Sequence, residues 1–199
     1  MIPPVLEQSF RTPIVRTDFL KTGGPLKLNL GGAGEGFLSA KLDGFLTVDL
    51  RDTPETDIVC DVSWLPMIKD GSVSELYSSN VLEHFSHTDT VRVLSEWARV
   101  LKPEGRLWLS VPDLDATIRL YQLEGQVDWF NYLAWGDQAH PLNYHYINFS
   151  FPFLARKLIE AGFSDVKRVK SLPYGLRDAS EHMDNHHGIR ISLNVEATR

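Results

Sequence analysis

The distribution of apolar and polar positions along the chain predicts short strands that alternate with helices. Short apolar runs bounded by glycine, proline or charged residues predict strands at 26–30, 45–50, 57–61, 73–79, 106–111, 166–172 and 189–197. The strand at 57–61 is expected at an edge of the sheet. Helices are predicted at 37–42, 87–100 and 151–161. This alternation, with short links and no internal repeats, predicts an α/β fold whose sheet carries helices on both faces.

The segment 87–100 is the clearest of the predicted helices. Its apolar residues recur at helical spacing, at Val91, Leu94, Trp97, Ala98 and Leu101. The sequence that follows, Lys-Pro-Glu-Gly at 102–105, contains the two residue types that most often stop a helix, so we expect the helix to end there.

Two segments depart from the alternating pattern. Residues 1–25 are mixed and rich in proline and glycine, and we interpret them as an N-terminal arm that precedes a single domain at 26–199. The stretch at about 114–150 carries many aromatic side chains between polar ones, which suggests an insertion that forms a lid or a ligand pocket. The alternative is that these rings only build a second small core under the sheet.

A glycine-rich turn follows the first predicted strand. Gly31, Gly32 and Gly34 let the backbone bend tightly and approach a ligand without a Cβ in the way. The next strand ends in Asp49, roughly 20 residues after the first glycine, where a carboxylate is placed to bind a ribose diol. Together these features predict the first half of a nucleotide-binding βαβ unit.

Length, charge and cysteine content narrow the class of protein. The 199 residues suit one domain, and the net charge of −6 argues against nucleic acid or an anionic membrane as the main partner. The single Cys60 cannot form an internal disulfide and is most simply a buried apolar residue. The sequence shows no apolar run long enough to span a membrane and no signal-peptide pattern, so we expect a cytoplasmic protein.

The order of motifs resembles the class I S-adenosylmethionine-dependent methyltransferases, and in particular the small methyltransferases of the type 11 group. The similarity covers residues 26–113 well and a later stretch more loosely, and it is carried by LNLGGAG, FLTVDL, DVSWLPMIKDGSVSELYSSNVLEHF, EWARVLKPEGRLWLSVPD and HYINFSFPFLARKLIEAGF. It departs from the family at Asn29, where many members carry an acidic residue, and at Ala33, where the usual second glycine stands. The resemblance implies a Rossmann-like, mostly parallel, seven-stranded sheet with an antiparallel C-terminal strand.

The resemblance also implies S-adenosylmethionine as the cofactor. Glycines pass under its aminoacyl end, Asp49 takes the ribose, and Asp61 with Val62 frames the adenine, although Asp61 could equally form only an Asx turn. Asn80, at the end of a strand, is expected beside the methyl donor. The full set of expected cofactor residues is Asn29, Gly31, Gly32, Gly34, Asp49, Leu50, Asp61, Val62 and Asn80.

The acceptor side is predicted from histidines and from residues near the aromatic insertion. His145 matches the family's late histidine and is our first candidate for a base that faces the acceptor, ahead of His84 and His140. His84 is also a candidate for a structural residue beside the cofactor. Residues that we expect to contact the acceptor are Asp113, Asp115, Trp135 and Tyr144.

The histidines of the segment EHMDNHHG raise the question of a metal. His182, His186 and His187 lie close to Asp184 in sequence, but there is no second ligand cluster, so we favour a solvated loop and assign no metal.

The resulting hypothesis is a methyltransferase that acts on an oxygen or nitrogen atom of a polar small molecule, such as a sugar or a secondary metabolite. An NAD-dependent oxidoreductase is disfavoured, because the glycine turn lacks the full G-x-G-x-x-G pattern and no Tyr-x-x-x-Lys motif occurs. A non-catalytic Rossmann-like binding module stays open as a third possibility, because of Asn29 and Ala33. We expect no nucleic-acid partner, and either a monomer or a homodimer.

Overall fold

The structure is a computed structural model that describes residues 12–16, 25–33, 42–173, 178–179 and 187–199. Its strands are β1 Ile14–Val15, β2 Leu26–Leu30, β3 Leu46–Asp49, β4 Ile58–Val59, β5 Val73–Ser79, β6 Leu101–Pro112, β7 Ser164–Val169 and β8 Ser192–Thr198. Its helices are α1 Thr90–Val100, α2 Leu114–Glu124, α3 Asp128–Trp135 and α4 Phe151–Glu160, with a short 3₁₀ helix at Leu82–His84. The helix predicted at 37–42 and Gly34 fall outside the described residues, except for Leu42.

These strands form one sheet in the order β1-β4-β3-β2-β5-β6-β8-β7. The five strands from β4 to β6 run parallel, whereas β8 is antiparallel to both of its neighbours. The predicted α/β class, with a mostly parallel sheet and an antiparallel C-terminal strand, is confirmed.

The sheet has one strand more than we predicted. Residues Ile14 and Val15 of the N-terminal arm pair antiparallel with β4, so the run at 57–61 is not an edge strand as predicted. This strand was not predicted, because two exposed residues in a proline-rich arm do not make an apolar run. They form a strand because the edge of β4 provides backbone groups for hydrogen bonding.

Helix α1 buries its apolar face against the sheet. Leu94, Trp97 and Ala98 are buried on that face, as the helical spacing predicted. Val93, which the predicted set did not include, is fully buried there, whereas Val91 is only partly buried. The helix begins at Thr90 and not at residue 87, because Ser86 to Asp89 form a turn in which the Ser86 Oγ accepts from the Asp89 N–H and the Ser86 carbonyl accepts from Thr90.

Strand β6 begins directly after α1, earlier than predicted. The segment 102–105 is an irregular, exposed start of this strand: Glu104 has a φ of 62°, and the pairing with β5 shifts register between Val73 and Glu75. A Cβ on Gly105 would lie 2.7 Å from the Lys102 carbonyl oxygen, so glycine is required by this close approach.

The aromatic insertion at about 114–150 contains α2 and α3 and a loop that returns to Phe149 beside Asp113. Leu120, Leu133 and Ile191 form a small buried core beneath these helices. The same segment lines part of the cleft described below, so it is both packed and facing a cavity. None of the helices in the described ranges is both long and apolar enough to cross a membrane.

Candidate active site

A cleft of about 980 Å³ opens at the carboxyl ends of β2, β3 and β5. In this sheet β2 lies between β3 and β5. From β2 the chain first adds β3 and β4 on one side and then crosses over to add β5 and β6 on the other, so β2 and β5 flank a topological switch point. Open α/β sheets bind their ligands at such points. The expected cofactor residues that the structure describes all line the cleft, namely Asn29, Gly31, Gly32, Asp49, Leu50, Asp61, Val62 and Asn80.

The glycine turn is fixed by close packing on both sides. Gly31 has a φ of +76°, and a Cβ there would lie 2.2 Å from Cγ2 of Val81. A Cβ on Gly32 would lie 2.0 Å from Nδ2 of the buried Asn29. The two glycines therefore let the turn fold against the ends of β2 and β5, which leaves the backbone as the floor of the cleft.

The Asp49 carboxylate ties this turn to the end of β3. It is buried, and Oδ2 accepts from the Ala33 N–H at 3.0 Å. Arg51 supplies three further bonds: its backbone N–H and Nε donate to Oδ1 at 2.9 and 3.0 Å, and Nη2 donates to Oδ2 at 2.9 Å. The carboxylate thus uses about four acceptor positions, as many as it has.

The loop after β4 presents Asp61 and Val62 to the cleft. Oδ1 of Asp61 accepts from the Ser63 N–H at 2.8 Å, which is the Asx turn that we gave as the alternative to cofactor binding. Trp97 of α1 donates its Nε1–H to the Val62 carbonyl at 2.9 Å and so fixes the position of Val62. The Asx turn and a role toward the adenine are compatible, because both residues also line the cleft.

The end of β5 turns sharply into the cleft. Asn80 has a φ of 53°, which is uncommon for a residue other than glycine, and its backbone N–H donates to the Ser110 carbonyl at 3.0 Å. Its Oδ1 accepts from the Ser79 hydroxyl at 3.2 Å. Strained backbone of this kind is concentrated at functional sites, and here it aims the 3₁₀ helix Leu82–His84 at the same cavity.

Glu83, in this 3₁₀ helix, is the most unusual ionisable group in the described part of the chain. Its side chain is fully buried, and neither carboxylate oxygen has a hydrogen-bond partner of ordinary geometry. Burial raises the pKa of Glu83 to about 8, against smaller lowering effects of its own backbone and of the Asn80 side chain.

His84 and His145 stand next to this carboxyl group, and their ring centroids are 5.1 Å apart. Nδ1 of His84 lies 3.0 Å from the Tyr144 carbonyl oxygen, and Nδ1 of His145 lies 2.9 Å from that of Leu133. Burial lowers the pKa of His84 to about 4 and also lowers that of His145, so both rings are neutral at physiological pH.

The far wall of this corner comes from α3 and the loop after it. Gly136, with a φ of +77°, ends α3, and a Cβ there would lie 2.2 Å from the Asn143 carbonyl oxygen. This tight return lets the His145 N–H donate to the Trp135 carbonyl at 3.0 Å. Tyr132, Asp137 and the exposed His140 also line the cleft, and Nδ1 of His140 accepts from the Leu142 N–H.

The four residues expected to contact the acceptor do not line the cleft. Asp113 is buried as the N-cap of α2, where it accepts from the Asp115 N–H and pairs with Arg168, and Asp115 points to solvent. Trp135 and Tyr144 contribute instead through their backbone carbonyls, which hold His145 and His84. A strand end that precedes a helix needs a cap, and this requirement explains Asp113 without a ligand.

The histidine-rich segment is only partly described. Nε2 of His187 lies 2.6 Å from Oε1 of Glu124 in α2, which accounts for that ring. His182, Asp184 and His186 lie outside the described residues.

Sequence reasoning missed three residues of the site. Glu83 was part of the LEH motif but received no role, and Arg51 and Tyr132 were not singled out. The LEH motif itself was the available signal for Glu83, because it places this glutamate next to His84, which lines the cleft.

Comparisons with known proteins were made on the whole chain. Residues 32–109, from the glycine turn through most of β6, match the family model described as "Methyltransferase domain" (Methyltransf_11). A search of the curated proteins found no match to the sequence.

Several solved structures share the fold. They include the Burkholderia thailandensis 1,6-didemethyltoxoflavin-N1-methyltransferase with bound 1,6-didemethyltoxoflavin and S-adenosylhomocysteine, at 18% identity and a TM-score of 0.53 over 90% of this chain and 73% of that one. An Archaeoglobus fulgidus SAM-dependent methyltransferase gives 16% identity and a TM-score of 0.56 over 89% and 87%. The CurJ carbon methyltransferase gives 14% identity and 0.54 over 89% and 49%. At these identities the likeness is one of fold.

Proposed function

We propose that this chain, a class I S-adenosylmethionine-dependent methyltransferase by its domain match and its fold, methylates an oxygen or nitrogen atom of a polar small molecule. The enzyme class and the cofactor expected from the sequence are supported by the family-model match over residues 32–109 and by the shared fold. The observation that supports the choice of acceptor is the polar corner of the cleft near the end of β5, where the rings of His84 and His145 lie 5.1 Å apart and Tyr132 lines the same cleft.

The cofactor would lie along the carboxyl ends of β2, β3 and β5. When bound, S-adenosylmethionine supplies a methyl group on a sulfonium centre that is open to in-line attack. The backbone of Gly31 and Gly32 would support its aminoacyl end, while Asp49 would reach the ribose and Asp61 with Val62 the adenine. Asn80 would then lie beside the sulfonium, next to the histidine corner.

The residues of the corner suit an acceptor that carries a hydroxyl or amine. A carbonyl oxygen can only accept, so the Nδ1 atoms of His84 and His145 carry the protons. Nε2 of His145 keeps a lone pair, whereas the His84 ring also interacts with the Asn80 backbone. We assign His145 as the first candidate to hold the acceptor or take its proton, with His84 as the second. His140 lies on the exposed loop and would act at the mouth of the cleft.

The acceptor class can be tested directly. Calorimetry with S-adenosylmethionine and with NAD establishes the cofactor, and transfer of a labelled methyl group is then measured on separate panels of sugars, phenols, amines, β-keto thioesters and RNA. We expect S-adenosylmethionine alone to bind, and label to enter hydroxyl or amine compounds. Label on carbon or in RNA would contradict the proposed acceptor.

Replacement of His145 tests the acceptor corner. His145→Ala should leave affinity for S-adenosylmethionine unchanged but lower kcat by about 10²–10⁴, the usual contribution of general acid–base catalysis. His87→Ala is the matched control, since His87 is an exposed histidine outside the cleft. Equal kcat values for the two variants would show that His145 takes no part in the catalytic step.

A further inference from the structure

Three potential metal ligands converge beneath the acceptor corner. One ligand atom each from Glu83, His84 and His145 lies within 4.8 Å of the other two. Two of these residues are adjacent in the 3₁₀ helix after β5, and the third comes from the loop after α3, so the cluster is assembled by the fold.

The two histidines are already oriented as metal ligands. Each donates its Nδ1–H to a backbone carbonyl, of Tyr144 or Leu133. This leaves Nε2 of His145 with a free lone pair, whereas the His84 ring also interacts with the Asn80 backbone. A second hydrogen bond of this kind fixes the tautomer and ring orientation of metal-binding histidines in general.

Glu83 gives an independent reason to expect a ligand. Its carboxyl group is fully buried, and neither oxygen has a hydrogen-bond partner of ordinary geometry. A buried polar atom without a partner is costly, and it is rare enough to require an explanation. A cation between the carboxylate and the two imidazoles would satisfy it.

We propose that Glu83, His84 and His145 bind one divalent metal ion of the zinc type. Two imidazole nitrogens and one carboxylate oxygen are a ligand set that suits Zn²⁺ and neighbouring transition metals, whereas Mg²⁺ and Ca²⁺ prefer oxygen ligands throughout. In tetrahedral zinc sites the ligand atoms are roughly 3.3 Å from one another. The three ligand atoms here lie within 4.8 Å of one another, so side-chain movements of about an ångström would bring them to that separation.

The position of the cluster indicates what the ion would do. Glu83 lies beneath the site and is fully buried, whereas His84 and His145 line the cleft, so a coordination position left open by three protein ligands faces the cleft. This part rests on the proposed function: an acceptor hydroxyl or amine would bind at the open position and lose its proton more readily. With the ion bound, His145 is a ligand and not the base.

The test uses the full chain, freed of metal with a chelator and titrated with Zn²⁺ and separately with Mg²⁺. We expect one Zn²⁺ per chain, a higher Tm on Zn²⁺ addition, and no response to Mg²⁺. Glu83→Gln should weaken Zn²⁺ binding by at least ~100-fold, since the loss of a residue that only hydrogen-bonds to a metal ligand already costs about 10–100-fold. Glu55→Gln, an exposed glutamate, and His87→Ala are matched controls that should bind Zn²⁺ normally.

The outcomes separate this proposal from the proposed function. Zn²⁺ binding that is absent, or unchanged in Glu83→Gln, or replaced by Mg²⁺ binding at the same residues, overturns the metal site. If Glu83→Gln does not fold, as judged by circular dichroism, His84→Ala decides in the same way. Binding of S-adenosylmethionine is measured on the same samples, so failure of the methyltransferase proposal is visible separately from failure to bind metal.

Discussion

Arg51 is hydrogen-bonded to the carboxylate of Asp49, which is the group expected to bind the ribose of the cofactor. Its guanidinium and backbone N–H supply three of the four hydrogen bonds to Asp49, so a ribose diol can bind only if the side chain leaves. The Arg51 side chain is 44% exposed, so it can swing into solvent. The Asp49 carboxylate is only 5% exposed, so the value for an exposed ion pair, about 0.2–1 kcal/mol, is a lower bound on the cost of the displacement.

We therefore expect Arg51→Met to bind S-adenosylmethionine more tightly than the native protein, by roughly fivefold or more, because no ion pair needs to break first. Isothermal titration calorimetry of the variant against the native protein measures the change. Arg92→Met, which removes the exposed pair with Asp89 away from the cleft, is the control and should show native affinity. Weaker binding in Arg51→Met would mean that Arg51 contacts the cofactor itself.

Cys60 should be chemically inert in the folded protein. Burial, followed by the nearby charges of Asp61 and Glu96, raises the pKa of its thiol to about 12, so almost no thiolate exists at pH 8. Its Sγ also donates to the Trp64 carbonyl. We expect iodoacetamide to label Cys60 at pH 8 only after unfolding in urea, and mass spectrometry reads out the rate. Equal rates with and without urea would contradict this.

At the scale of elements, the glycine turn after β2 allows a strain effect to be separated from a steric one. Gly31 and Gly44 have nearly the same φ, +76° and +79°, but a Cβ on Gly31 meets Val81 whereas one on Gly44 meets nothing within 4 Å. Gly31→Ala should therefore cost about 1–3 kcal/mol more unfolding free energy than Gly44→Ala, as overpacking usually does.

Urea denaturation measures this difference, and calorimetry shows whether the turn still supports the cofactor. We expect Gly31→Ala to lose binding of S-adenosylmethionine and Gly44→Ala to keep it. Similar unfolding free energies for the two variants would mean that the Val81 side chain moves aside at little cost, and that only the positive φ of the glycine is important.

The sequence predicted element types better than element boundaries. The apolar spacing was sufficient to predict that α1 is a helix, because Leu94 and Trp97 recur on its buried face. The first residue of α1 was not predictable in this way, because it depends on a turn between the side chain of Ser86 and the backbone of Asp89 that competes with the helix. The start of β6 was missed because glycine and proline end a helix but can also form a bulge within a strand. Local patterns do not distinguish these two uses.

At the scale of the whole molecule, the meeting of the expected cofactor residues in one cleft was predictable from the sequence, and the grouping of the histidines was not. Gly31, Asp49 and Asp61 follow strands in the parallel part of the sheet, so their meeting at one edge follows from topology. The grouping of Glu83 and His84 with His145 depends on how α3 and its loop fold back. No local pattern specifies that return, and Asp113 was misassigned because its partner Arg168 lies on the distant β7.

A half-buried network joins α1 to the segment that follows the loop of Asp61 and Val62. Glu96 accepts from the Leu65 N–H at 2.6 Å and from Nε and Nη2 of Arg99 at 2.7 Å each. Arg99 in turn donates to the carbonyls of Leu65 and Ile68 at 3.0 Å. The network is shared by helix and loop, so its charge state affects the stability of the whole domain.

The pH dependence of unfolding tests this network. Burial alone would raise the pKa of Glu96, but the hydrogen bonds from Arg99 and Leu65 outweigh it and leave the pKa below its ordinary value of 4.5. A carboxyl group whose pKa is lowered by folding stabilises the protein above pH 4.5, and this contribution is lost as the pH falls below that value toward the folded-state pKa.

Urea denaturation at pH 7 and at pH 3.5 should therefore show a smaller acid-induced loss of stability in Glu96→Gln than in the native protein. Glu55→Gln, at an exposed position, should lose stability as the native protein does. Other carboxylates titrate in the same range, but they contribute equally to all three proteins and cancel in the comparison. If Glu96→Gln loses as much stability as the native chain, the ion pair with Arg99 does not stabilise the fold, and α1 is held to the loop by apolar packing and the Trp97 hydrogen bond to Val62.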